Sequence, residues 1–182
     1  MKLVLIDRDG VINEEKDGYI KSTEELVVMP QAVEAFALLK QNGFTTAVIT
    51  NQSVVGRGII SHEKLDEIHD AMIEEIETGG GKVDAVFSCT DRPDKATNRR
   101  KPGPGMLLEA LKKYNAEAKH TPFIGDALTD MEAAYRAGCL RYLVMTGKGA
   151  QEMKKIPQHL EPVVICTDIL DAAKKIIGQH GK

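Results

Sequence analysis

Leu3-Val4-Leu5-Ile6 runs directly into Asp7-Arg8-Asp9-Gly10, and the change of character at Asp7 decides how the chain is read. An unbroken aliphatic run with no polar alternation suits a strand buried on both faces, as in parallel sheets covered by helices. Similar short runs recur at Thr46–Ile49, Ala85–Ser88, Pro122–Ile124, Tyr142–Met145 and Val163–Ile165. Between them lie segments of helical period. Gln31–Gln41 carries Val33, Phe36, Ala37 and Leu39 and is stopped by Gly43. Ser61 opens a helix through Leu65, Ile68, Met72 and Ile76, which ends at Gly79-Gly80-Gly81. Pro104–Tyr114, Leu128–Ala137 and Ile169–Ile177 complete the set. Strands alternating with helices predict an α/β fold, a Rossmann-like doubly wound parallel sheet. The polar, basic stretch 91–104, with Pro93, Pro102 and Pro104, reads as a loop. No repeat or linker divides the chain, so one domain over residues 1–182 is expected.

The bulk composition narrows the class. With 182 residues, 42% hydrophobic and 28% charged, the chain can bury a real core. A net charge of −3 gives no field for nucleic acid or an anionic membrane, so any bound anion must be held by a local cluster. Cys89, Cys139 and Cys166 form an odd, sparse set suited to reduced thiols rather than a disulfide frame. The start turns charged by Asp7, unlike a signal peptide, and no apolar run approaches the roughly 20 residues of a membrane span. A cytoplasmic, monomeric protein with neither a nucleic-acid nor a membrane partner is expected.

In such a sheet ligands bind beyond the carboxyl ends of the strands, so the residues just past each strand matter most. After the first come Asp7 and Asp9; after the second, Thr50-Asn51-Gln52-Ser53; the loop after the third ends in Arg100-Lys101-Pro102; after the fourth come Gly125-Asp126 and Asp130. Asp7, Asp9 and Asp126 make a hard oxygen site suited to Mg²⁺. Thr50 offers a hydroxyl, Asn51 further donors and Lys101 a full positive charge, the groups that a phosphoryl oxygen needs. Taken singly, an Asp at a strand end is as readily a turn residue, and a Lys in a basic loop an ordinary surface one. Four equipped strand ends in one order are hard to obtain by chance.

The order Asp7-x-Asp9-Gly10-Val11, Thr50-Asn51, Lys101-Pro102, Gly125-Asp126-x-x-x-Asp130 resembles the four motifs of the haloacid dehalogenase superfamily of phosphatases. Longer strings resemble its D-glycero-D-manno-heptose 1,7-bisphosphate 7-phosphatase branch: Asp7-Arg8-Asp9-Gly10-Val11-Ile12-Asn13, Gly18-Tyr19, Thr50-Asn51-Gln52-Ser53 with Gly56-Arg57-Gly58, and Arg100-Lys101-Pro102-Gly103-Pro104-Gly105-Met106. The resemblance implies Asp7 as nucleophile and Asp9 as the acid that protonates the leaving oxygen and later activates water. It implies Mg²⁺ between the Asp7 carboxylate, the Asp9 carbonyl and Asp126. Thr50 and Lys101 would hold the transferring phosphoryl group, and Asp130 would orient Lys101 or a metal-bound water. The implied substrate is a small phosphorylated sugar, contacted by Asp17, Gly18, Tyr19, Asn51, Gln52, Ser53, Arg57 and Arg100. The forked donors of Arg57 and Arg100 suit a second, uncleaved phosphate.

Two departures stand out. Many members of the branch bind zinc through Cys-x-His … Cys-x-Cys before Arg-Lys-Pro, whereas here Cys89-Thr90-Asp91 and Thr97-Asn98-Arg99 retain one thiolate. One soft ligand cannot make a closed tetrahedral site, so no structural zinc is expected. Ala127 stands where some relatives carry Lys after the metal-binding Asp. The intervals from Asp9 to Thr50 and from Thr50 to Lys101 are used by core elements, leaving no separate cap domain, so specificity falls to the loops. Two other activities share parts of the pattern. Histidinol-phosphate phosphatase is one, but a monophosphate needs no second anion site. A phospho-accepting receiver domain is the other, but it needs adjacent acids after its first strand and an acceptor Asp after its third, where this chain has Ser88-Cys89-Thr90.

Overall fold

Each aliphatic run becomes a strand because its alternating side chains find apolar cover above and below. The structure, a computed structural model, describes residues 1–180. Its strands are β1 (Leu3–Ile6), β2 (Thr45–Asn51), β3 (Ala85–Cys89), β4 (Pro122–Gly125), β5 (Leu140–Val144) and β6 (Val164–Cys166). They form one parallel sheet in the order β3-β2-β1-β4-β5-β6. The winding reverses between β1 and β4, and there the carboxyl ends of the strands open a crevice.

The helices are α1 (Pro30–Gln41), α2 (Ser53–Gly56), α3 (His62–Thr78), α4 (Gly105–Lys113), α5 (Leu128–Ala137), α6 (Gly149–Glu152) and α7 (Ile169–His180). Val4 and Ile6 point to the layer holding Phe36 and Leu39 of α1, Met72 of α3 and Ile176 of α7. Leu3 and Leu5 point the other way, to Met106 and Leu107 of α4 and Ala134 of α5. This period of two sandwiches the sheet between helices. Phe36 is fully buried, and truncating it to Ala would cost about 3–5 kcal/mol.

Local signals set the helix ends. Pro30 opens α1, where its missing N–H costs nothing. The Ser61 side chain accepts from the Lys64 amide, giving half of a capping box, since Lys64 cannot return the bond as Glu would. Boundaries differ from the sequence expectation at β5, which starts at Leu140 and ends before Met145. Arg141 hides this start by interrupting the apolar run; its guanidinium bonds the carbonyls of Leu160 and Cys139. The interval from Asp9 to Thr50 holds a 3-10 turn at Thr23–Glu25, α1 and β2, and that from Thr50 to Lys101 holds α2, α3 and β3. Both intervals therefore build the sheet and its flanking helices rather than a cap.

Candidate active site

Asp7 is the first residue past β1, and its amide donates to the Ile124 carbonyl of β4 at 2.9 Å. That bond seats it at the point where the winding reverses. The buried Lys101 ammonium reaches the same place from the loop after β3 and lies against three oxygens there. Nζ lies 2.7 Å from Asp7 Oδ1, 2.7 Å from Asp130 Oδ1 and 3.0 Å from the Ile49 carbonyl. Burial opposes the charge, but Asp130 and Asp7 hold Lys101 protonated, above the ordinary lysine range. Asn51 secures the loop by pairing with the Lys101 backbone in both directions: Nδ2 donates to its carbonyl and Oδ1 accepts from its amide, each at 3.0 Å. The Asn51 side chain thus braces Lys101. Asp130, in the first turn of α5, also accepts at Oδ2 from the Ala127 amide at 3.1 Å, while its Oδ1 meets Lys101 as an ion pair.

Asp7, Asp126 and Asp130 are buried, with carboxylate oxygens within 4.8 Å of one another. Burial, then repulsion from Asp130, push the Asp7 carboxyl well above its usual range against the pull of Lys101. The same two causes push Asp126 up to about 7. Three carboxylates facing one ammonium leave two negative charges uncompensated. A divalent cation with oxygen preference cancels that excess, and the donor set fits Mg²⁺. The backbone makes room for it. Gly10 (φ +79) and Gly147 (φ +55) flank Asp126, and a Cβ on either would stand 2.3 or 2.1 Å from Asp126 Oδ2. The Lys148 amide fixes that oxygen at 2.8 Å.

The Asp9 carboxylate is not part of this cluster. Its Oδ1 accepts from Arg8 Nε (3.2 Å), Arg8 Nη2 (2.8 Å) and Asn13 Nδ2 (3.0 Å), and its Oδ2 from Arg8 Nη2 (3.0 Å) and Gln52 Nε2 (2.8 Å). Burial raises its pKa, but Arg8 and these hydrogen bonds outweigh it and hold Asp9 below the usual carboxylate range. Any metal contact from Asp9 therefore falls to its backbone carbonyl, as the resemblance implies. Gln52 Nε2 also donates to Thr50 Oγ1 at 2.8 Å, leaving the Thr50 hydroxyl proton free to be donated onward.

Over 181 residues the chain is 37% identical to the D-glycero-beta-D-manno-heptose-1,7-bisphosphate 7-phosphatase of Bordetella bronchiseptica, covering 98% of this chain and 99% of that one. The chain belongs to this phosphatase family. A second relative of the same name, from Pseudomonas putida, is 39% identical over 178 residues, covering 97% of this chain and all of its own. The HAD-hydrolase-like family model matches residues 98–172, which include Lys101, Asp126 and Asp130. A solved structure of D,D-heptose 1,7-bisphosphate phosphatase from B. bronchiseptica, complexed with magnesium and phosphate, superposes with a TM-score of 0.93 at 36% identity, covering 98% of this chain and 99% of that one.

For a heptose bisphosphate 7-phosphatase family member the surrounding cavity matters next. It measures about 480 Å³ and is lined by Asp7, Asp9, Thr50, Lys101 and Asp126, together with Asp17, Gly18, Tyr19, Asn51, Gln52, Ser53 and Arg100. Arg57 is not among the lining residues; it lies exposed at the end of α2. Arg100 is partly turned back, with Nη1 on the Asp91 carbonyl at 2.9 Å. Lys148 and Lys16, unremarked in the sequence, also line the cavity; Lys148 pairs with Glu15 at 2.5 Å and Lys16 with Glu25 at 2.7 Å. Ala127 brings no charge to this rim, but Lys148 does. Its position between Gly147 and Gly149, beyond β5, is the signal the sequence offers.

Proposed function

We propose that the protein hydrolyses the C7 phosphate of D-glycero-D-manno-heptose 1,7-bisphosphate and releases heptose 1-phosphate and inorganic phosphate. One observation carries this reading: the cavity joins a buried acid cluster suited to phosphoryl transfer to a rim bearing Arg100, Lys16 and Lys148, the two lysines paired with Glu25 and Glu15. Two phosphates on one small sugar match two such zones. Full-length identity to enzymes of that name supports the substrate. The free, buried thiols Cys89, Cys139 and Cys166 suit the reducing cytosol, and among the described residues no helix is long and apolar enough to cross a membrane. We place the enzyme there as a monomer.

The carboxylates of Asp7 and Asp126 and the Asp9 carbonyl would hold Mg²⁺. Bound there, it neutralises phosphoryl oxygens so that a carboxylate can approach phosphorus. Lys101 and the Thr50 hydroxyl hold the transferring group, and Asp130 keeps Lys101 in place. An oxygen of Asp7 attacks phosphorus while the bond from phosphorus to the C7 oxygen breaks. Asp9, a carboxylate in the free protein, takes up a proton from solvent when the phosphate dianion enters beside it and gives that proton to the leaving oxygen, giving the sugar alcohol and an aspartyl-phosphate. Asp9, now a carboxylate, removes a proton from water. The water oxygen attacks phosphorus, the bond to Asp7 breaks, and phosphate leaves with Asp9 protonated again.

Phosphorus-31 NMR of the products tests the proposal. Wild-type protein should convert the C7 ester to free phosphate and leave the anomeric ester intact. Asp7→Asn keeps the shape without the attacking charge and should leave both esters unchanged over the same time. Release of the anomeric phosphate, or turnover by Asp7→Asn above a tenth of wild type, would refute it.

A further inference from the structure

Arg8 separates the two acids of the first motif, and its side chain is turned onto the second of them. Only 1% of it is exposed, and its Nε and Nη2 engage the Asp9 carboxylate in a forked pair. We infer that Arg8 is a positioning residue for proton transfer, which fixes the Asp9 carboxylate together with Asn13 and Gln52. This rests on the proposed role of Asp9 as the acid and base.

The geometry argues for purpose rather than a passing ion pair. A guanidinium is costly to bury unless its partner is fixed, and a planar fork on a carboxylate defines an orientation that a point charge cannot. The turn that presents the fork is itself tied down: the Arg8 carbonyl accepts from the amides of Val11, Ile12 and Asn13 at 3.2, 2.8 and 3.2 Å. Asn13 is fully buried and adds its own donor to Asp9 Oδ1. Gln52 comes from the neighbouring strand end, just past β2, and bridges Asp9 Oδ2 to Thr50 Oγ1 at 2.8 Å each. The acid is therefore indexed to a hydroxyl proposed to hold the phosphoryl group. A proton donor held at a set distance from the leaving oxygen keeps the advantage of proximity, which a freely rotating carboxyl loses. The step itself is unchanged: Asp9 gives its proton to the C7 oxygen as the phosphorus–oxygen bond breaks. Arg8 exchanges no proton and touches no substrate atom.

The effect should depend on the leaving group. A sugar alkoxide needs the acid, whereas nitrophenolate leaves without one. Arg8→Met should lower single-turnover cleavage of heptose 1,7-bisphosphate by about 100-fold, with KM changed less than about twofold, while single-turnover release of nitrophenolate from 4-nitrophenyl phosphate slows by less than about threefold. In an Asp9→Asn background, adding Arg8→Met should cost the sugar ester less than about twofold, because the residue acts through Asp9. If Arg8→Met does not fold, Arg8→Lys is read by the same comparison; it keeps the charge without the fork and should lose at least about tenfold on the sugar ester alone. Equal slowing of both esters, or losses that multiply in the double variant, would overturn the inference and leave the proposed function standing. An Asp9→Asn protein that keeps over a tenth of wild-type turnover would remove the acid assignment and this inference with it.

Discussion

Lys101 Nζ lies 2.7 Å from Asp7 Oδ1, and both residues are buried, so the proposed nucleophile has its counter-charge in place before a substrate arrives. The same ammonium holds Asp130, which makes Lys101 a structural hub as well as the proposed phosphate contact. Lys101→Met should abolish turnover and also destabilise the fold. Breaking a buried pair costs about 3–5 kcal/mol, and the loss should be larger at pH 8 than at pH 5, where protonated carboxyls no longer need the ammonium. Thermal unfolding of the variant at both pH values checks this; an equal Tm drop at each would contradict it.

Metal and protons should compete for the acid cluster. The Asp126 carboxyl is raised from an ordinary 3.8 to about 7, so the metal-free fold favours its protonated form. The stability tied to that proton is fully present below about pH 4 and is lost as pH rises through about 7. A bound divalent cation replaces the proton. Saturating Mg²⁺ should therefore raise Tm more at pH 8 than at pH 5, and chelated protein should lose Tm between them. A Mg²⁺ effect independent of pH would exclude Asp126 as its ligand.

The loop before Lys101 should hold no zinc. Asp91 Oδ2 accepts from the Thr97 amide at 2.8 Å and its hydroxyl at 2.6 Å, and Arg99 forks onto Glu109 at 2.8 and 3.0 Å. These exposed contacts are individually weak, but they close the loop where the ligand set for a metal is missing. Elemental analysis of purified protein should find less than stoichiometric zinc. One tightly held zinc per chain would show that the loop is built around a metal after all.

Arg100 should serve binding of the second phosphate rather than chemistry. A contact equally strong in ground and transition states raises KM when lost, and a charge-assisted pair contributes roughly 1.5–3 kcal/mol, about ten- to over a hundredfold. Arg100→Ala should weaken heptose 1,7-bisphosphate by that factor and leave a simple phosphate monoester almost unchanged. Equal losses on both would assign Arg100 to the reacting phosphate.

The sheet is legible because most of its strands are largely apolar runs, and Asp7 and Asp126 come directly after two of them. The span of α5, Leu128–Ala137, can be read from its ends, with Gly138 at φ 78 closing it. The illegible part depends on side-chain direction. Asp9 and Asp7 look alike in the sequence, but Asp7 joins the acid cluster while Asp9 turns to Arg8, Asn13 and Gln52, partners that the motif alone does not reveal. Asn51 reads as a substrate donor, yet its amide is used on the Lys101 backbone. Arg57 carries the right chemistry but lies off the cavity, since α2 ends just before it. Lys148 is hidden because nothing in a short Gly-flanked segment announces that its amide will meet Asp126.

The choice of substrate is tested most directly by one comparison on the wild-type enzyme: kcat/KM for both anomers of D-glycero-D-manno-heptose 1,7-bisphosphate against histidinol phosphate, in saturating Mg²⁺. At least one bisphosphate anomer should exceed histidinol phosphate by about tenfold or more, the least that a second charge-assisted phosphate contact contributes. Faster turnover of histidinol phosphate than of either anomer would contradict the proposed function.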